Sequence, residues 1–119
     1  MRFTLIAGAA VCAALATPVV AEGWSVSDLG SMAERDACMS RARDVFSSYA
    51  SRYNVEESIG ESNWTVGGYD LRGEPVDALI ICPIEGGLVV PFLMTHGTDS
   101  DSDARRIIHD RLRDIWDEK

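Results

Sequence analysis

Two segments of the chain have apolar residues at the spacing of an amphipathic helix. In the first, Ser31 and Glu34 have the spacing of a capping box, and apolar residues then recur every three or four positions from Cys38 onward. In the second, apolar residues follow the same period from Ala104 to Trp116. The pattern therefore predicts a helix that begins near Ser31 and another helix at the C terminus.

Between these helices the pattern changes to short apolar runs that are typical of strands. Residues 64–71, 76–84 and 88–95 each predict a strand, with glycine-rich turns between them. Pro91 marks the last strand as an edge strand, because proline cannot donate a hydrogen bond. The order predicts an α+β domain: helix, three-stranded antiparallel meander, helix, with both helices on one sheet face.

The first residues have the layout of a secretory signal peptide. Arg2 precedes an apolar stretch over residues 5–15, which is shorter than the roughly 20 residues of a membrane-spanning helix. We expect residues 1–21 to be removed as the signal peptide, with cleavage after Ala16 as the alternative. Residues 22–119 then form a single small domain, and we expect no membrane span in it.

The cysteines indicate how this small domain is stabilised. Cys12 leaves with the signal peptide, so the exported chain keeps Cys38 and Cys82. An even pair in an oxidising compartment predicts a disulfide, which would join the first helix to the central strand. The alternative is a pair of free thiols, reactive or metal-binding, but no histidines lie near them in the sequence to complete a zinc site.

The charge of the chain limits its partners. The formal net charge is −8 at pH 7. Such a surface repels phosphate backbones and carries no basic stripe, so we expect no nucleic-acid partner. The charge is consistent with a basic partner or with solubility alone.

No residue pattern matches a known catalytic or cofactor-binding motif. The carboxylates of residues 99–103 have ligand-like spacing, but Ala104 stands where a calcium loop requires glycine, so we assign them to a helix N terminus. His96 and His109 lack a recognisable nucleophile in the sequence around them. We therefore expect no catalytic residues, no metal and no cofactor.

The predicted strands leave both faces of the sheet apolar. On the middle strand Leu79 and Ile81 point away from the helices, and we expect Val89 and Leu93 of the next strand to join them in one patch. This patch needs a cover: an extended arm around Trp24, a second copy of the protein, or a partner or ligand.

These features favour a small exported binding or interaction module of the cell envelope, without catalytic activity. The alanine-rich signal segment favours a bacterial periplasm or secretion. The alternatives are a small periplasmic hydrolase-like enzyme with a site assembled from dispersed residues, and a structural envelope component. A pocket that brings a histidine near a carboxylate and a hydroxyl would favour the enzyme, whereas a flat apolar face would favour the module.

We predict that the protein isolated from its source cell begins near Glu22 and contains no free thiol. Intact-mass measurement checks both statements, because cleavage sets the mass and disulfide formation removes two hydrogens. A chain that retains Cys12, or that reacts with a thiol reagent before reduction, would contradict them.

Overall fold

The computed structural model describes residues 23–73, 75–97 and 102–119, so the expected signal peptide at residues 1–21 lies outside the described residues. The elements follow in this order: β1 (Gly23–Asp28), α1 (Arg35–Arg52), β2 (Ile59–Glu61), β3 (Thr65–Gly68), β4 (Val76–Ile81), β5 (Ile84–Glu85), β6 (Leu88–Val89), β7 (Phe92–Gly97) and α2 (Ser102–Glu118). The α+β class is confirmed. Neither helix in these ranges has the length and apolar content needed to cross a membrane.

The main sheet is larger than the predicted meander. Five antiparallel strands lie in the order β1-β7-β4-β3-β2, and β5 pairs with β6 in a separate hairpin. The hairpin leaves the main sheet between Pro83 and Pro91, neither of which has an N–H group for a ladder. The arm around Trp24 does not cover the sheet; it extends the sheet as β1, because β7 offers it a partner of equal length.

The first helix begins later than the capping box predicts. α1 starts at Arg35, and the Glu34 side chain makes no capping hydrogen bond. Met32 instead forms an isolated bridge with Val89, with N···O distances of 2.8 and 2.9 Å in the two directions. Because this bridge holds the backbone near Met32 extended, Ser31 cannot serve as the helix cap.

Both helices pack against one face of the sheet. Along β4, Val76, Ala78 and Ile80 are buried while their neighbours are partly exposed. The core cluster joins these residues to α1 and α2. Gly68 of β3 permits the close approach of α1, because a Cβ atom at this position would collide with the ring of Phe46. The sheet therefore has one face buried under the helices and one face turned away from them.

The predicted disulfide is confirmed. Cys38 of α1 is bonded to Cys82, which follows β4, and both residues are fully buried. Arg35 adds to the same junction, because its Nε donates to the Cys82 carbonyl at 3.0 Å. The first helix is thus fixed to the end of the central strand by a covalent bond and a hydrogen bond.

We predict that replacing both cysteines by alanine lowers the free energy of unfolding by about 4 kcal/mol, since the bond spans 44 positions of the chain. Urea unfolding of the oxidised protein and of the double variant measures the difference. The matched control is the reduced wild-type protein, which should resemble the variant. A loss below about 1 kcal/mol would contradict the prediction.

Candidate functional site at the open sheet face

The sheet face opposite the helices carries an apolar surface. Cross-strand pairs on this face join Val26 to Met94 and Met94 to Leu79. Trp24 and Val26 are 57% and 60% exposed, so the side of this surface nearest β1 lies open among the described residues. We call this surface the open face; it comprises Trp24, Val26, Asp28, Asp77, Leu79, Ile81, Phe92, Met94 and His96.

The structure separates the four residues of the predicted patch. Leu79 and Ile81 lie on the open face. Leu93 is fully buried on the helix face, where it pairs with Ile80, and Val89 is buried in β6. The predicted placement of Val89 and Leu93 was wrong because the register of β7 on β4 puts Leu93 opposite Ile80, on the helix face.

Two residues of β7 occupy the places that the sequence interpretation gave to Val89 and Leu93. Phe92 pairs with Ile81, and Met94 pairs with Leu79. The apolar patch on the face opposite the helices is therefore present with a different membership. Its role in association stays a prediction.

A hydrogen bond at the C-terminal end of β1 shows which of its residues direct their backbone groups toward β7. The Leu29 N–H donates to the Pro91 carbonyl at 3.0 Å, one position beyond the paired strand residues. Hydrogen-bonded pairs alternate along an antiparallel ladder. The N–H and C=O groups of Ser27 and Ser25 therefore point toward β7.

The remaining residues of β1 direct their backbone groups away from β7. Trp24, Val26 and Asp28 are these residues, and their side chains lie on the open face. Among the described strands, β1 has a neighbour on the β7 side alone. An edge of this kind can accept another strand. The same three residues thus offer backbone hydrogen bonds and, at two of them, apolar contact.

The second helix makes side-chain hydrogen bonds to β1 on the helix face of the sheet. His109 of α2 is fixed by two hydroxyl groups: its Nε2 lies 2.7 Å from Ser27 Oγ, and its Nδ1 lies 2.8 Å from Thr95 Oγ1. Arg105, one turn earlier, donates from Nε to Ser25 Oγ at 3.1 Å. Side-chain bonds from α2 therefore reach both inward-facing serines of β1, which positions the edge before any partner binds.

This arrangement of His109 differs from that expected of a hydrolase. The imidazole is only 4% exposed, and both of its nitrogens are engaged by hydroxyl groups. Burial lowers the pKa of the imidazole below its ordinary value. The other histidine, His96, lies on the open face, with its ring 4.4 Å from that of Trp24.

The charged side chains of the open face are acidic. Asp28 accepts a hydrogen bond from the Gly30 N–H at 2.7 Å, and Asp77 accepts one from the Asp70 N–H at 2.9 Å. Within the described part of the chain, the open face contains no lysine or arginine. The surface therefore favours partners that carry positive charge.

The acidic segment before α2 is only partly within the structure. Asp99 and Asp101 lie outside the described residues, whereas Asp103 is in the first turn of α2 and pairs with Arg106. Over residues 23–73, 75–97 and 102–119, no group of three or more His, Cys, Asp or Glu side chains is placed to hold a metal ion. The assignment of this segment to the helix N terminus stays a prediction.

The edge position of β1 had a signal in the sequence. Trp24, Val26 and Asp28 alternate with two serines, which is the period of a strand with one apolar face. The sequence interpretation treated the segment as an extended arm that could cover the sheet. Its strand character follows only once β7 is recognised as its neighbour.

We predict that stability falls as the pH drops below about 6.5. Because burial lowers the pKa of His109 below 6.5, the unfolded chain binds this proton first. The stabilisation is complete above pH 6.5 and is lost as the pH falls toward the lowered value. Asp110 opposes the shift, and Arg113 and Arg105 reinforce it.

Urea unfolding between pH 5.5 and 7.5 tests this expectation. The free energy of unfolding should change with pH by at most about 1.4 kcal/mol per pH unit for this one group. His109→Gln should reduce the slope, and His96→Gln, the control, should retain it. An unchanged slope in His109→Gln would assign the effect to other groups.

Comparison with protein-family models, curated proteins and solved structures finds no match for this chain. The functional proposal therefore rests on the geometry of the open face and of the outward backbone groups of β1.

Proposed function

We propose that the protein is a small exported module of the cell envelope that binds an extended segment of a partner protein. The observation that carries this proposal is the outer edge of β1, where Trp24, Val26 and Asp28 combine outward backbone groups with side chains on the open face. A segment that adds a strand here gains main-chain hydrogen bonds, and its alternate side chains meet the apolar surface.

The chemistry of the partner follows from the surface beside the edge. Apolar side chains of the added strand lie next to Trp24 and Val26, which are more than half exposed. Basic side chains are favoured near Asp28, since the chain has a formal net charge of −8 and the open face is acidic. The partner segment is therefore extended, with alternating apolar positions and a net positive charge.

Export is the second part of the proposal. Residues 1–21 act as a signal peptide, and residues 22–119 remain as the domain. The buried disulfide between Cys38 and Cys82 supports this, because such bonds persist in oxidising compartments. The periplasm and the extracellular space both provide such an oxidising environment.

The environment of His109 favours a binding role over the hydrolase alternative. A general base must reach a proton of the substrate, but this imidazole is buried between two hydroxyl groups that hold β1 and β7. A purely structural envelope component is the remaining alternative, and it requires no saturable binding at the edge.

We predict that Val26→Pro weakens partner binding and leaves the fold intact. The Val26 N–H points away from β7, so proline removes one outward donor without breaking the β1–β7 ladder. Val26→Thr is the matched control, because it keeps the N–H and a β-branched side chain. Circular dichroism verifies that both variants are folded.

Binding is measured with peptides selected from a phage-displayed linear library on the oxidised domain. We expect the selected peptides to alternate apolar and basic residues, and to bind Val26→Pro roughly tenfold or more weakly than Val26→Thr. Equal binding to the two variants would reject the edge as the site. A dimer that sedimentation detects in the wild type and not in Val26→Pro would assign the edge to a second copy.

A further inference from the structure

A recess lies on the helix side of the molecule, away from the open face. It has a volume of about 450 Å³ and is bounded by the C-terminal end of α1, the turn after β3 and the middle of α2. Tyr49, Tyr53, Val55 and Leu71 contribute aromatic and aliphatic walls. We call this recess the arginine cleft, because Arg72 and Arg111 line it as well.

The guanidinium of Arg111 is held in place by the aromatic wall. Its central carbon lies 4.1 Å from the centroid of the Tyr53 ring, which itself lies 4.8 Å from the Tyr49 ring. Tyr49 is fixed in turn, because its hydroxyl donates to the Leu71 carbonyl at 2.8 Å. Arg111 also hydrogen-bonds to the Tyr49 hydroxyl, and a guanidinium has five N–H donors, so this bond leaves others for a ligand.

Two positive charges act on the floor of this cleft. Burial raises the pKa of the Tyr49 hydroxyl, and a hydrogen bond from Arg111 and the charges of Arg111 and Arg72 oppose that rise. Arg72 and Arg111 both line this cleft, which places two positive charges around the same recess. Arg72 also borders the adjoining depression against α2, so the positive surface is continuous between the two recesses.

The charge of Arg111 has no carboxylate partner among the described residues, although the chain contains 19 acidic residues. Among the described residues, ion pairs to carboxylates are made by Arg43, Arg52 and Arg106, whereas no carboxylate there forms an ion pair with Arg111. Its side chain is only partly exposed. A positioned guanidinium in a cleft, without an acidic partner from these residues, has the donor geometry that binds a carboxylate in two-point fashion.

We infer that the arginine cleft binds a small organic monoanion, with a carboxylate held by Arg111 and the positive charge of Arg72 on the same wall. The apolar body of the ligand packs on Val55 and Leu71. Glu56 also lines the cleft, and its charge disfavours phosphate dianions relative to a singly charged carboxylate. This site shares no residue with the open face, so the inference does not depend on strand addition at β1.

The test uses 3-phenylpropionate as the probe, with NMR titration of the oxidised domain at constant ionic strength. We expect saturable shifts of amide resonances around the cleft at millimolar probe. The neutral isostere 3-phenylpropionamide should bind roughly tenfold more weakly, because it lacks the charge that the guanidinium groups recognise. Phenyl phosphate should also bind more weakly than the carboxylate.

Variants locate the site. Arg111→Gln should weaken binding of 3-phenylpropionate roughly tenfold, whereas Arg113→Gln, an exposed arginine on the same helix, should leave it unchanged. Glu56→Gln should strengthen binding, and this exposed substitution keeps the test valid if Arg111→Gln fails to fold. Equal binding of the amide, tighter binding of phenyl phosphate, unchanged binding in Arg111→Gln and Glu56→Gln, or absence of saturation would each overturn the inference.

Discussion

The packing of two helices onto one face of β4 and β7 is the interaction on which the other features depend. Val76, Ala78 and Ile80 point into that interface. Burial of a side chain as large as valine or isoleucine contributes roughly 1.5–3 kcal/mol. Since side chains alternate with a period of two, burial of this set commits Leu79 and Ile81 to the opposite face. The open face is therefore a direct geometric result of the core.

Local periodicity was sufficient for part of the fold. The apolar stripe from Cys38 and the stripe that ends at Trp116 identified both helices, because each stripe is read within a single element. The middle strand was predicted for the same reason. The disulfide was predicted separately, from the even pair of cysteines left in the exported chain.

Features that depend on distant partners were not predictable in this way. α1 starts later than predicted because Met32 pairs with Val89. The segment of β1 forms a strand because β7 lies beside it. The error at Leu93 lay in the sheet register, because Leu93 pairs with Ile80 and not with a residue of the open face. A shift of one position in that register exchanged the members of the apolar patch.

The two candidate sites were even less accessible to sequence reasoning. The edge of β1 depends on which strand lies at the border of the sheet. The arginine cleft unites Tyr53, Leu71 and Arg111, which come from three separate segments. None of these segments contains a motif, and their proximity exists only in the folded chain.

The contacts that hold β1 also set the order in which the molecule can be assembled. Ser27 bonds to His109 across 82 positions of the chain, and the Trp116 indole donates to the Leu29 carbonyl across 87. Contacts of such long separation form late, because the chain between them must first be brought together. During synthesis the N-terminal segment therefore cannot form these contacts until the C-terminal helix has been made. The surface that would receive a partner is completed only when the last turn of α2 has docked, and an incomplete chain cannot present it.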